Sequence, residues 1–471
     1  MSLTKKLIKN SSLMTFSELS VQILSYFIII VLAQQTGSYG LGQYSFVISF
    51  VTFMFIFSDI GMSYLLVRDV SRDKRLAQKY FSNMLPIKSL LLVIAIIVTL
   101  VVTYIFGRDQ TVVISILLFS LILFIDGFIS LSKSIMQSFE NFEVYVKFTL
   151  LERIITFSIG IFILYQTGSL IGFFAAMLFA YIISFTYILN ATRKYVKLTW
   201  EINIALWKKI VRRSMPFWLT GLFMFIYFRT DTVMLGLLTS YNAVGYYNAA
   251  YKFIDLFVFL PGLLVVVLLP TMSSMFKKDA KRLRNMINVV FRYVLMLGIP
   301  LAAGTYLIAE RLILFVYGES FLPHSALALQ ILAIAVLFIF INTLLGNLLN
   351  AIGQQKKFLF AAVITATLNV ILNFILILQY EYIGAAIATV ATQALCFTIL
   401  LYFVGKHFMK IKLIKLWKIL LSVGIMSLAV MQLLSYSVLI IVPIAIVVYF
   451  GSILLLGLEE DDMQIIKQLF N

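Results

Sequence analysis

The chain has 471 residues, of which 62% are hydrophobic and 12% charged, and it carries a formal net charge of +17. A soluble domain carries about 25% charged residues, so this composition excludes a soluble globular fold. The positive charge does not call for a nucleic-acid partner, because its placement along the chain follows membrane orientation instead.

A membrane-spanning helix needs about 20 mostly apolar residues. Fourteen such spans are predicted, at roughly 12–33, 41–63, 84–106, 111–132, 148–166, 169–190, 214–238, 250–275, 286–308, 324–349, 358–379, 383–405, 416–435 and 437–457. The first follows the basic segment MSLTKKLIKN. Glu18 and Gln22 interrupt it and no small-residue cleavage site follows, so it reads as an uncleaved span. Between spans six and seven, WEINIALWKKIVRR places Trp200 and Trp207 on a segment that reads either as a short amphipathic helix on the inner surface or as a solvated connector. The last hairpin is the weakest boundary, with only Ser and Tyr residues separating its two spans.

The basic residues sort by loop. Of the 37 Lys and Arg, 30 lie in the tails and in every second loop, while the opposite loops hold Arg108 and Arg311. Short loops rich in Lys and Arg stay in the cytoplasm, so both termini are expected there, in a multi-pass protein of the cell's inner (plasma) membrane. An even number of spans requires the same. The single cysteine, Cys396, sits in an apolar run and reads as a packing residue. His324 and His407 stand apart near segment ends, so no metal or other cofactor is expected.

Weak echoes divide the chain. Tyr39-Gly40-Leu41-Gly42-Gln43-Tyr44 and Asn242-Ala243-Val244-Gly245-Tyr246-Tyr247 each follow the first span of a half, and Ile171-Gly172 echoes Ile383-Gly384. Six spans return the chain to the same side, so the halves are parallel repeats about an axis along the membrane normal. The expected organisation is an N-lobe at 1–195, a C-lobe at 196–405, and two added helices with a tail at 406–471. The fold class is therefore an all-α polytopic membrane protein: two six-helix lobes and two C-terminal helices.

Two stretches resemble a known family. YFRTDTVMLGLLTSYNAVGYYNAAYKFIDLF (227–257) is similar to the seventh and eighth helices of polysaccharide flippases, and YGLGQYSFVISFVTFMFIFSDIGMSYLLVRDVSRDK (39–74) to their second helix and following loop. These O-antigen (Wzx-type) and related flippases belong to the multidrug/oligosaccharidyl-lipid/polysaccharide exporter superfamily. The resemblance implies movement of a polyprenyl-pyrophosphate-linked oligosaccharide from the inner to the outer leaflet, through an alternating-access cavity between the lobes. It implies lipid-linked oligosaccharide and membrane lipids as partners, with other glycan-assembly membrane proteins as candidates. The glycan is left open, lipopolysaccharide O-antigen being one case.

Ionisable groups at membrane depth are costly, so each is a functional candidate. The first half offers Glu18, Asp59, Asp126, Glu152 and Arg153; the second offers Arg229, Asp231, Lys252, Asp255 and Arg292. Arg229 has no charged residue at i±3 or i±4. It needs a partner across helices, a wet cavity or an anionic ligand, and a guanidinium suits pyrophosphate oxygens. Lys252 and Asp255 share a helix face and read as a local ion pair or as site residues. Glu152 and Arg153 point to different faces, so they pair poorly. Tyr227 and other tyrosines suit sugar stacking or an interfacial belt. Asn369 and Asn373 share a face, to join helices or line a cavity. The substrate-contact candidates are Arg229, Lys252, Tyr227 and Asn373. Asp59, Glu18, Asp126 and Asp255 are the candidates for coupling to H⁺ or Na⁺.

Three rivals remain. A multidrug or cation antiporter of the same superfamily expects an acidic cavity without a central arginine. A polymerase or ligase needs a sizeable outer loop, and the largest here spans about 15 residues around Glu310, Arg311 and Glu319. A channel or scaffold without a transport cycle is the third. No enzymatic activity is expected.

Overall fold

The computed structural model describes the backbone of residues 3–411 and 416–457, and side chains from residue 13 except at 220, 224, 227, 259, 263–267, 270 and 277. The described residues are helical and contain no strand. In an apolar solvent an unpaired backbone amide costs several kcal/mol, and helices satisfy these groups within the segment. The protein is an all-α polytopic membrane protein. Nine described helices are long and apolar enough to cross a membrane, or ten if one bent pair counts as a span. A helical segment underlies each of the fourteen expected spans.

The described chain divides into two compact units, 1–237 and 238–471. The first opens with α1 (Leu3–Asp59), whose 57 residues are too long for one crossing. Gly37, at φ 66°, breaks it where a turn is needed. Then come α2 (Met62–Arg72), α3 (Leu76–Ile105), α4 (Gln110–Ser138), α5 (Phe142–Thr167), α6 (Leu170–Thr192) and α7 (Ile204–Leu238). Inside the unit α6 packs on α4 and α5, and α1 on α3, α4 and α5. Ser169 and Asn141 cap α6 and α5 through their side-chain oxygens.

Two segments read as connectors are helical. The stretch between the expected spans 41–63 and 84–106 reads as a connecting loop, yet Met62–Arg72 is a helix, because Met62, Leu65, Leu66 and Val70 recur on one face. That face joins Tyr80, Phe81 and Met84 of α3, Leu131 and Ile135 of α4, and Ile210 of α7 in one buried cluster. The second is WEINIALWKKIVRR. It is neither a separate surface helix nor a solvated connector: from Ile204 onward it is the start of α7, with Trp207 packed against that cluster and Trp200 left exposed. Further along, α7 bends by 62° between 204–223 and 228–238.

The repeat boundary near 195 and the compact unit ending at 237 are different divisions of the chain. Contacts carry α7 with the first unit: Trp218 Nε1 donates to the Ile56 carbonyl at 3.0 Å, and the Phe53 and Phe225 rings lie 5.5 Å apart.

The second unit contains α8 (Tyr241–Lys278), α9 (Ala280–Tyr317), a 3-10 turn at Glu319–Phe321, α10 (His324–Ala351), α11 (Gln355–His407), α12 (Leu416–Gln432) and α13 (Val438–Leu455). α10 is its central helix, packed against α8, α9 and α11. Like α1, the 53-residue α11 is two helices across a break, here at Glu381 with φ 46°. Gly384 follows the break, and a Cβ there would meet the Leu376 carbonyl oxygen at 2.2 Å. The helices α12 and α13 pack together on α9, where the Tyr449 hydroxyl donates to the Met296 carbonyl at 2.6 Å.

At the α1–α2 corner, Gly61 has φ 78°, and a Cβ there would lie 2.6 Å from the Ser214 carbonyl oxygen and 2.9 Å from the Trp218 nitrogen. Both the conformation and the backbone of α7 exclude a side chain. Gly61→Ala is expected to destabilise the protein by about 1–3 kcal/mol, while Gly405→Ala, with open space around it, leaves it unchanged. Thermal unfolding of the two purified variants checks the contrast.

Candidate functional site

The α1–α2 corner opens into a cavity of about 490 Å³ inside the first unit. Its charged walls come from four helices. Asp59 ends α1, Lys88 lies about three turns into α3, Asp126 and Lys133 stand on α4, and Tyr145 rises from α5. Apolar and aromatic groups of α1, α2 and α7, among them Phe55, Tyr64 and Phe225, close the rest.

Lys88 is the centre of this arrangement. Its ammonium is ion-paired with Asp59 Oδ1 and donates to Ser130 Oγ at 2.6 Å. Ser130 donates onward to the Gly127 carbonyl at 2.7 Å, a bond within α4 that fixes the hydroxyl. Asp59 also accepts from Ser63 Oγ at 2.8 Å. One ion pair thus ties α1, α2, α3 and α4 at a single point. The two partners are unequally placed: the Lys88 side chain is 2% exposed and that of Asp59 33%.

The remaining cavity charges are arranged differently. The Lys133 ammonium lies over the rings of Phe148 at 4.8 Å and Tyr145 at 5.5 Å. Such cation–π contacts stabilise a cation by about 0.5–2 kcal/mol without neutralising it. Asp126 forms no ion pair or side-chain hydrogen bond among the described residues, and its carboxylate faces the cavity. Two lysines and two carboxylates therefore balance the wall.

Of the residues singled out in the sequence, the structure gathers Asp59 and Asp126 here. Glu18 is exposed on α1, within electrostatic reach of Tyr145 but outside the cavity wall. Glu152 is buried on α5, where Thr156 Oγ1 donates to it at 3.1 Å. Arg153 stays 3.9 Å from it, a loose pair that matches their different faces. Arg229 is half-buried on α7 beyond the bend, within electrostatic reach of Tyr44 of α1. The side chain of Tyr227 lies outside the described residues.

In the second unit, Lys252 Nζ and Asp255 Oδ2 form an i,i+3 pair at 3.2 Å, the local pairing their spacing allows. Asn373 is fully buried. It donates to Asn369 Oδ1 at 3.0 Å, and Asn369 donates to Thr392 Oγ1 at 3.2 Å. Asn369 thereby joins the two parts of α11, and Asn373, bonded to it from the same part, reaches no open surface in this conformation. Among the described residues no three His, Cys, Asp or Glu side chains converge as metal ligands would.

Lys88, Ser130 and Lys133 were not among the sequence candidates. Lys88 is a single cation near the start of an apolar run, and Lys133 counted as a loop residue because span four was ended at 132. The missed signal is a polar stripe on α4. Asp126, Ser130, Lys133, Ser134 and Gln137 recur at helical spacing, and all five line the cavity.

Three comparisons bear on this architecture. The model of the family described as "Polysaccharide biosynthesis protein" matches residues 7–276, and a second model, MatE, matches 216–375. A protein described as an uncharacterized membrane protein of Methanocaldococcus jannaschii is 24% identical over 100% of this chain and 99% of its own. The probable flippase AglR of Haloferax volcanii is 32% identical over 183 residues, 38% of each chain. Among solved structures, the fold is similar to that of the lipid II flippase MurJ in its inward closed conformation, with a TM-score of 0.77 and 22% identity over 94% of this chain and 98% of that one.

Breaking a buried pair by removing one partner costs about 3–5 kcal/mol, because the other charge is stranded. Here the cost is expected to be asymmetric. Asp59→Ala strands an ammonium whose side chain is almost wholly buried, whereas Lys88→Met strands a carboxylate that is a third exposed and that the cavity can hydrate. Unfolding of the detergent-purified variants is expected to rank Asp59→Ala as clearly the less stable, with the double variant recovering part of the loss.

Proposed function

The chain belongs to the polysaccharide biosynthesis protein family, and from that premise we propose that it flips a polyprenyl-pyrophosphate-linked oligosaccharide from the inner to the outer leaflet by alternating access. The observation that carries this reading is the charge-balanced cavity. Lys88 and Lys133 stand inside a membrane-embedded helical unit, where each uncompensated cation is costly. Lys133, which no carboxylate pairs among the described residues, offers a cationic cargo nothing. A pyrophosphate gains a path lined by groups that attract it.

Within this reading Lys133 is the cavity's available cation, since Lys88 is held by Asp59. Arg229, half-buried on α7, is proposed as a second phosphate contact. The aromatic groups of the wall, Tyr64, Tyr145 and Phe225, offer flat faces to sugars. In this proposal the Asp59 end of the cavity, next to the basic loops, faces the cytoplasm, where the lipid-linked glycan would be loaded.

Ion coupling is proposed through Asp126. Of the acidic candidates Asp59 and Asp255 are already paired and Glu18 lies off the wall, whereas Asp126 lines the cavity without an ion pair among the described residues and is the proposed contact for H⁺ or Na⁺. Asp126→Asn is then expected to make transport indifferent to the imposed gradient, with Glu18→Gln behaving as wild type.

The test is reconstitution with a polyprenyl-pyrophosphate-linked oligosaccharide bearing a labelled sugar, its outer-leaflet fraction read by an impermeant quencher. The expected result is protein-dependent flipping that falls about tenfold or more in Arg229→Ala and in Lys133→Ala. No flipping, together with gradient-driven efflux of a cationic dye, would overturn the proposal in favour of a multidrug antiporter.

A further inference from the structure

A second recess lies on the basic side of the first unit and shares no wall residue with the cavity described above. It encloses about 330 Å³ between the α2–α3 turn and the first turns of α7. We propose that this recess, walled by Arg72, Lys79, Lys209 and Arg213, is a binding site for a phosphate group. The proposal stands apart from the transported substrate and does not depend on it.

The charge arrangement is the first support. Two carboxylates reach the recess, and both are already engaged. Asp69 takes Arg213 Nη1 at 2.8 Å, Arg68 Nε at 2.9 Å and the Tyr80 hydroxyl at 2.8 Å. Asp73 takes Arg75 Nε at 3.0 Å. That leaves Arg72, Lys79 and Lys209, which form no ion pair among the described residues and border the same small space. Like charges gathered on a concave wall repel one another and attract a counter-ion, and a tetrahedral anion with several acceptor oxygens can meet guanidinium and ammonium donors together.

The second support is the floor. Asp69 and Tyr80 are both buried, at 6% and 5% exposure. Burial works against ionisation of Asp69, but the hydrogen bonds from Arg68 and Tyr80 and the charge of Arg213 outweigh it and hold its carboxyl below its usual range. The Asp69–Tyr80–Arg213 set is therefore a fixed ionic frame at neutral pH, with Arg213 at its rim. The first turn of the 30-residue α3 also borders the recess at Leu76 and Lys79 and carries no acidic residue of its own. At 330 Å³ the space is near the lower end of the usual range for small-ligand pockets, about 300–1,000 Å³, and fits one headgroup-sized ligand.

A phosphate here would bridge the α2–α3 turn to the start of α7, the helix that bends and then carries Arg229. Two sources share this chemistry: the headgroup of an anionic membrane lipid, and a soluble pyrophosphate or phosphate ester.

The test uses the full chain with Arg72→Gln, Lys79→Gln and Lys209→Gln combined. All three side chains are exposed, so the variant is expected to fold. A control removes the same charge elsewhere through Lys278→Gln, Lys281→Gln and Arg282→Gln. In one arm, inorganic pyrophosphate is titrated into detergent-solubilised protein at fixed ionic strength. In the other, the protein is placed in nanodiscs of phosphatidylcholine with or without phosphatidylglycerol. Both arms read the thermal midpoint.

The expected result is stabilisation of wild type and control in at least one arm, with apparent affinity about tenfold weaker in the recess variant. A response to phosphatidylglycerol alone identifies a lipid headgroup, and a response to pyrophosphate identifies a soluble anion. Equal responses in wild type and the recess variant in both arms would overturn the proposal.

Discussion

An ammonium held inside an apolar helical bundle is the constraint on which the first unit of this protein is built. Removing a charge from water costs several kcal/mol, and only a close, hydrogen-bonded partner offsets it. Lys88 finds that partner in Asp59 and a further acceptor in Ser130. The consequence is geometric. For the pair to form, α1 must end where α3 and α4 pass, and the chain must turn at once. Gly61 makes the turn, with α7 packed so tightly over it that only a hydrogen fits. The amphipathic α2 then seals the corner with Met62, Leu65 and Leu66. The cavity is the space these commitments leave behind, which is why its charges are balanced and its position is fixed by backbone turns.

Much of the architecture could be read from the sequence, because the membrane imposes a simple code. Length and hydropathy mark the spans, and the basic loops separate the two sides. Gly37 and Glu381 lie where the predicted outer turns fall, inside helices that are otherwise continuous. What escaped was whatever depended on amphipathic rather than uniform hydropathy. α2 carries Arg68, Asp69 and Arg72 among its apolar residues, and so it resembled a loop. The first turns of α7 carry two Lys and two Arg, and so they resembled a surface helix or connector until packing against the α2–α4 cluster joined them to the span.

The site was legible only in part, for a related reason. Asp59 and Asp126 stood out as acids in apolar runs. Their cationic counterparts did not: Lys88 hides near one end of a long hydrophobic stretch, and Lys133 fell just past an assigned boundary. A polar stripe at helical spacing on α4 would have indicated both the cavity and the helix extension that places Lys133 within it. The second unit teaches the converse lesson. Lys252 and Asn373 looked like ligand groups by type, yet the structure engages them with near neighbours, Asp255 and Asn369.

Under the proposed function the cations of the cavity compensate a lipid-linked anion, a need that a neutral or cationic cargo would not create. The most direct measurement is a charge-reversal cycle at the central pair: Asp59→Lys, Lys88→Asp and the two combined, each scored for folded yield and for flipping of a labelled lipid-linked oligosaccharide. The account predicts that each single reversal, which places two like charges at one buried point, abolishes both properties, and that the combined reversal restores a substantial part of the folded yield and measurable flipping. Single reversals that fold and transport as wild type does would contradict it.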